Sequence, residues 1–432
     1  MSPAALWRSG ANPEAIQGNL MRARLPTVAI GEVCHLWRST LNDEVVGSGV
    51  VVGIEGEVAT VSMLTSSAGL SPSMVLMPTG RQQQVRVGAW LLGSVLDGLG
   101  RCVERMDGKG LEPPVHMEQR EVASEALDYR SRRAVDSCFA TGVRAVDALL
   151  TIGKGQRVGV FAAAGSGKTT FAEMLLDRAY ADVFIIALIG ERGREVASFV
   201  ERISASSNAA RTIIVQATSD APPATRSNAA QLATALAEYF RDQGSNVLLV
   251  MDSMTRYARA LRDVALLAGE PPARRGYPAS VFEAMPRLLE RPGNTHTGSI
   301  TAFYTVLLED EEEADPIGEE VKSLLDGHIH LSAKLAGRGH YPAIDMLRSG
   351  SRLFNQLASV EHAKSAIKVR AMIAELEDMQ LMRDLGEYRQ GSNAQLDRAV
   401  SREHAIEMFL RQGQEERVDP SQALEALNEL AR

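Results

Sequence analysis

The chain has 432 residues, more than one ordinary core accommodates, which points to two or three domains. Its composition, 45% hydrophobic and 23% charged, is that of a globular protein, and a net charge of −8 argues against a protein that mainly holds nucleic acid. Three scattered cysteines, Cys34, Cys102 and Cys138, share no metal-ligand spacing, and no apolar run approaches the ~18 residues that span a membrane.

Residues 1–25 lack the apolar core of a signal peptide and read as an arm, with Arg8, Arg22 and Arg24 against Glu14. Residues 26–88 read as a small β domain. Within it, VGSGVVVGIEGEVATVSML (46–64) holds short valine-rich runs broken by glycine, and a compact antiparallel barrel is expected. From 89 to 355 the texture changes. QRVGVFA (156–162), DVFIIALIG (182–190), TIIVQA (212–217) and NVLLVMD (246–252) read as buried parallel strands. Between them TTFAEMLLDRAY (169–180) and NAAQLATALAEYFRDQG (228–244) carry helical spacing. The alternation predicts an α/β fold, a parallel sheet with helices on both faces and ligands at the carboxyl ends of its strands. Residues 356–432 turn helical and polar. Over 365–385, Val369, Met372, Ile373, Leu376, Met379 and Met382 share one face, as a core-facing stripe of a small bundle does.

AAAGSGKTT (162–170) ends as a phosphate-binding loop does, but Ala162 stands where the pattern G-x-x-x-x-G-K-[ST] begins with glycine. The motif follows a predicted strand and opens a predicted helix, the context it requires. Gly165 and Gly167 let the backbone aim its N–H groups at phosphate, and the helix N-terminus adds partial positive charge. The nucleotide-binding stretch is therefore Ala164, Gly165, Ser166, Gly167, Lys168, Thr169 and Thr170. Lys168 is placed for the outer phosphates and Thr169 for Mg²⁺. Alanine at 162 is acceptable if φ is negative. Asp252, ending an apolar strand, can hold a water of the Mg²⁺ shell. GERGREV (190–196) also follows an apolar strand; Glu191, first beyond it, is the better candidate for polarising the attacking water. Taken alone, an E-R-x-R-E cluster reads as a solvated loop.

Together these segments resemble the type III secretion and flagellar export ATPases, which are similar to the subunits of rotary ATP synthases. The resemblance covers 26 to about 390. It rests on VGAWLLGSVLDGLG (87–100), TGVRAVDALL (141–150), AAAGSGKTT, LIGERGREV (188–196), 252–293, GSITAFYTVLLEDEEEADPI (298–317), LLDGHIHLS (324–332) and GHYPAIDMLRSGSRLF (339–354). In this family an alanine commonly opens the loop. The resemblance implies a RecA-like P-loop NTPase core behind a β-barrel and ahead of a helical domain, using ATP and Mg²⁺. It implies Glu191 as the catalytic glutamate with Arg192 beside it, Asp252 as the Walker B aspartate, Arg256 near the γ-phosphate and Tyr341 packed on adenine. Arg352 matches an arginine finger offered to a neighbouring subunit's nucleotide. GEPPARRGYP (269–278) resembles a loop facing a central channel, with Glu270, Arg274 and Arg275 toward a stalk protein.

The implied assembly is a homohexamer at the cytoplasmic face of the inner membrane. Its implied partners are a central stalk, a stator or peripheral regulator, an export gate and chaperone–effector complexes, with no nucleic acid. EEEADPI and RDLGEYRQGSN (383–393) look closer to the injectisome branch than to the flagellar one. SEALDYRSRRAVDSCFATGV (124–143) departs from relatives in lacking a double proline. The alternatives are a rotary synthase subunit, a non-catalytic ring scaffold, which would lack Glu191, and an RNA translocase. Against the last, residues 26–88 carry three basic residues, five acidic ones and Trp37 as the only aromatic, a poor surface for stacking bases.

Overall fold

The computed structural model describes residues 10–39, 42–108, 110, 114, 117–310, 313–380, 385, 388–389, 391 and 393–432. Met382 of the expected helical stripe, and parts of the 1–25, 308–315 and 383–393 segments, lie outside the described residues. The chain divides into two compact units of three segments each. Met1–Leu127, Val183–Gln243 and Met251–Arg291 make one; Asp128–Asp182, Gly244–Val250 and Pro292–Arg432 make the other.

The first unit begins with β1 (Ala15–Gln17), β2 (Leu20–Arg24), β3 (Glu32–Ser39), β4 (Asn42–Glu55), β5 (Val58–Met63) and β6 (Val75–Gln82). They form an antiparallel sheet in the order β1-β2-β5-β4-β3-β6. Paired hydrogen bonds between Ala11 and Leu76, 3.0 and 2.9 Å, tie the chain ahead of β1 to β6 and close the sheet into a barrel. Met21, Leu36, Val61, Met63 and Leu76 fill it.

Residues 15–24 therefore belong to the barrel and not to an arm ahead of it. The two-residue Gly18-Asn19 turn folds β1 onto β2. Met21 and Ala23 face inward, while Arg22 and Arg24 face outward onto Glu55 and Glu57. Nor do the glycines of 46–64 break the chain into short runs: β4 has 14 residues. A Cβ on Gly49 would stand 2.6 Å from Val61 Cγ1, so this glycine admits the neighbouring strand closely.

In the same unit β7 (Gln84–Val87) pairs with β10 (Glu118–Glu121). The parallel ladder β12 (Val183–Ile189), β13 (Thr212–Ala217) and β8 (Ser94–Asp97) ends on antiparallel β9 (Cys102–Arg105). Every residue of β12 is buried, as expected of a parallel strand covered on both faces. α4 (Pro223–Asp242) lies on β12 and β13 and carries α5 (Met254–Leu267). Fully buried Arg291 binds Glu238 through both carboxylate oxygens, at 2.9 and 2.7 Å, and also reaches Gln231 and the carbonyl of Val122. β8 pairs with β13, and residues 89–127 fall in the same compact unit as the barrel.

In the second unit β11 (Arg157–Ala162) lies between parallel neighbours β15 (Ser299–Leu307) and β16 (Gly327–Leu331), and β17 (Ile344–Ser351) runs antiparallel to β16. α2 (Lys168–Arg178) follows β11. α7 (Pro316–Leu324), α8 (Ala333–Gly337) and α9 (Phe354–Leu357) fill connections. α10 (Val360–Asp378), α11 (Ala394–Leu410) and α12 (Pro420–Ala431) pack on one another and on α1 (Arg144–Leu149). Of the expected stripe, Val369 and Met372 are buried, and Ile373, Leu376 and Met379 are half-buried. These helices are fastened to α1; His362 Nε2, for one, lies 2.6 Å from the Ala148 carbonyl. β14 (Asn246–Asp252) carries the chain from this unit into the other.

Candidate active site

The phosphate loop is built in the second unit. Ala162 is the last residue of β11 and is fully buried; its carbonyl accepts from Leu308 N–H at 3.0 Å. A strand residue has negative φ, so alanine is at home there, and a conformation that needs glycine begins only at Gly165 (φ 79°) and Gly167 (φ 85°). A Cβ on Gly165 would meet nothing within 4 Å, whereas one on Gly167 would stand 3.1 Å from Tyr341 Cε1. Buried Ser166 turns its hydroxyl back onto the Ala163 carbonyl at 2.8 Å and shapes the loop from within. Ala164, Gly165 and Thr169 are exposed; Gly167, Lys168 and Thr170 are half-buried. The exposed ring of Tyr341 thus lies against the phosphate loop.

The first unit holds the acid. Glu191 follows β12 through Gly190 and is only 7% exposed. Arg256 donates to it from Nε at 3.1 Å and from Nη2 at 3.3 Å, a two-pronged grip. Two local devices aim that arginine. Ser253 caps α5 and accepts the Arg256 N–H at 3.3 Å. Gly190, whose Cβ would come within 3.0 Å of Arg256 Cδ, leaves room for the arginine stem. Neither Gly190 nor Ser253 emerged from the sequence as a site residue, although a glycine directly after a buried strand and a serine before a helix are both readable signals. Asp252 ends β14, buried, directly before that cap. Arg192 is highly exposed at the start of α3 (Gly193–Ser204) and makes a 3.8 Å surface contact with Glu195.

Arg352 stands just after β17, its N–H on the Asp326 carbonyl at 2.9 Å. Its side chain is exposed and has no carboxylate partner among the described residues. Cations gather near it: burial, then Lys322, Arg352 and Arg370, push the His328 imidazole down. His330, stacked on Phe161, is pushed down to about 3 by burial first and then by Arg348, Lys322 and His328.

In the 269–278 segment, Arg274 and Arg275 are exposed at the tip of a turn bridged from Arg274 to Tyr277. Glu270 accepts from Ser280 N–H at 3.0 Å and from its hydroxyl at 2.5 Å, in the first turn of α6 (Ala279–Leu289).

A strand-loop-helix phosphate cradle and a buried glutamate held by arginine define a nucleoside-triphosphate hydrolase of the P-loop class. Residues 142–351 match the nucleotide-binding domain of the ATP synthase alpha/beta family, and residues 358–429 match the T3SS EscN ATPase C-terminal domain. The chain is 53% identical over 402 residues to the SPI-1 type 3 secretion system ATPase of Salmonella typhi, covering 93% of each. It is 41% identical over 405 residues to the flagellum-specific ATP synthase of Treponema pallidum, covering 94% of this chain and 89% of that one. The solved structure of the assembled ATPase EscN from the enteropathogenic E. coli type III secretion system superposes with a TM-score of 0.90 at 39% identity. That match covers 98% of this chain and 100% of EscN. EscN in complex with its central stalk EscO gives 0.88. The chain belongs to the type III secretion system ATPases and is an ATP hydrolase with a RecA-like P-loop core. Among the described residues no helix is long and apolar enough to cross a membrane.

Proposed function

We propose that this chain powers a type III protein secretion apparatus as a homohexamer whose nucleotide sites lie between subunits. The observation that carries the reading is the contrast between Glu191, a buried carboxylate gripped within its own chain, and Arg352, an exposed guanidinium with no carboxylate partner among the described residues. A base that works in its own subunit should be held in place; an arginine meant for a neighbour should be free to reach it.

On this reading the loop N–H groups of 164–170 and Lys168 bind the phosphates, and Tyr341 takes the adenine. Glu191 orients the water, with Arg192 at the rim and Arg256 passing from Glu191 toward the γ-phosphate. Arg352 of the next subunit neutralises charge on the transferring phosphoryl group, an effect of about 10³-fold or more in comparable hydrolases. The residues present fit Mg²⁺, a hard cation: Thr169 offers a hydroxyl and Asp252 a carboxylate that can hold a water of its shell. No group of three acidic, histidine or cysteine side chains among the described residues would cage a metal alone, as suits an ion bound mostly through phosphate and water. Bound with nucleotide, Mg²⁺ neutralises the phosphate charge.

Residues 89–355 then serve as the ATPase domain, and 356–432 meet chaperone–effector complexes. Hydrolysis drives chaperone release and cargo unfolding at the cytoplasmic face of the inner membrane. Arg274 and Arg275 face a central stalk, and a peripheral regulator and an export gate complete the partners.

The test is steady-state hydrolysis against protein concentration, with Glu191→Ala and Arg352→Ala assayed singly and mixed. Activity per subunit that rises with concentration, inactive single variants and partial recovery on mixing are expected. Concentration-independent activity that survives loss of Arg352 would sink the shared site.

A further inference from the structure

Within the second unit the segment joining α11 to α12 is anchored by one buried side chain. Gln412 is 3% exposed. Its Oε1 accepts the N–H of Arg144 at 2.8 Å, and its Nε2 donates to the carbonyls of Gly142 and Glu416, each at 2.9 Å. Every hydrogen-bonding position of the amide but one is filled, which fixes both its location and its flip. Arginines reinforce the anchor. Arg144 Nη1 donates to the carbonyls of Met408 and Phe409, and Arg178 Nη2 to that of Gly413 at 2.7 Å.

With its side chain so held, Gln412 presents its own main-chain N–H to the carbonyl of Tyr341 at 2.8 Å. Tyr341 in turn lies against Gly167 of the phosphate loop. The bonds run from the residues matched by the C-terminal family model into those matched by the nucleotide-binding model.

We propose that Gln412 is a positioning residue for the base of the nucleotide. It holds Tyr341 over the phosphate loop, and any displacement of α11 and α12 is thereby felt as a change in base affinity. The inference rests on the reading of Tyr341 as the residue that packs on adenine. It deepens that reading by placing the control of Tyr341 in the C-terminal helices.

The split between two ligands tests it. ATP and inorganic tripolyphosphate both use the phosphate loop, but only ATP has a base. Binding of each to the full-length chain is measured for wild type, Tyr341→Ala, Gln412→Leu and Gln412→Glu. The Glu variant keeps size and the acceptor for Arg144 N–H, and covers the case in which the Leu variant fails to fold. The expected result is a roughly tenfold loss of ATP affinity in the Tyr341 and Gln412 variants, with tripolyphosphate affinity unchanged. If Tyr341→Ala leaves ATP affinity intact, the base reading of Tyr341 falls. If Tyr341→Ala weakens ATP while the Gln412 variants match wild type, the positioning role alone falls. Equal losses for both ligands in the Gln412 variants overturn it as well, since they mark general damage.

Discussion

Arg256 grips Glu191 with two nitrogens while the carboxylate is almost wholly out of water, and this pairing sets the behaviour of both residues. Glu191→Gln removes the charge but not the shape; hydrolysis should fall by about 10²–10⁴-fold while nucleotide binding persists, as single-turnover and binding measurements would separate. Arg256→Ala removes two donors from that buried carboxylate, and kcat should fall with nucleotide binding retained; an unchanged kcat would show that the grip does not serve catalysis. His330 carries the pH prediction. In the folded chain it stays neutral down to about 3, whereas unfolded it takes a proton near 6.5. Between those values the unfolded state binds more protons, so stability falls as pH drops through the window. His330→Gln should shrink the difference in Tm between pH 7.5 and pH 5. At this scale the sequence was most legible where chemistry is local. Lys168, Thr169 and Glu191 follow from a motif and a strand end. The Arg256 grip on Glu191 joins residues 65 apart, and no spacing announces it.

The phosphate loop shows how two glycines in one element differ. Both adopt positive φ, and alanine there costs about 1–2 kcal/mol in backbone strain. Only Gly167 also faces a ring, with Tyr341 Cε1 3.1 Å from where a Cβ would stand. Gly165→Ala should lower Tm modestly, whereas Gly167→Ala should lower it further and also displace Tyr341, seen as weaker ATP binding. Equal effects of the two would show that the ring contact is without consequence. The buried parallel strands were legible because continuous burial demands continuous apolar sequence: β11, β12, β13 and β14 end within a residue of their expected limits. β1 and β2 escaped because half their residues face water, and their only strong signal was the Gly18-Asn19 turn. β4 was misjudged by taking glycine as a breaker where it serves close approach.

For the whole molecule, alternation of strand and helix announced an α/β core, but not that each compact unit would be assembled from three separated stretches. Strand runs reveal burial and are silent on partner order. The barrel closure carries a practical consequence. Ala11, not β1, supplies the bond that seals Leu76. A chain trimmed to begin at residue 10 keeps the seal. One trimmed to begin at residue 15 keeps every strand yet leaves β6 with a bare edge, the kind of row that recruits other chains. The shorter truncation should remain monodisperse in light scattering, while the longer one should aggregate with its secondary structure intact. Five residues outside any strand would then decide between a soluble protein and a sticky one.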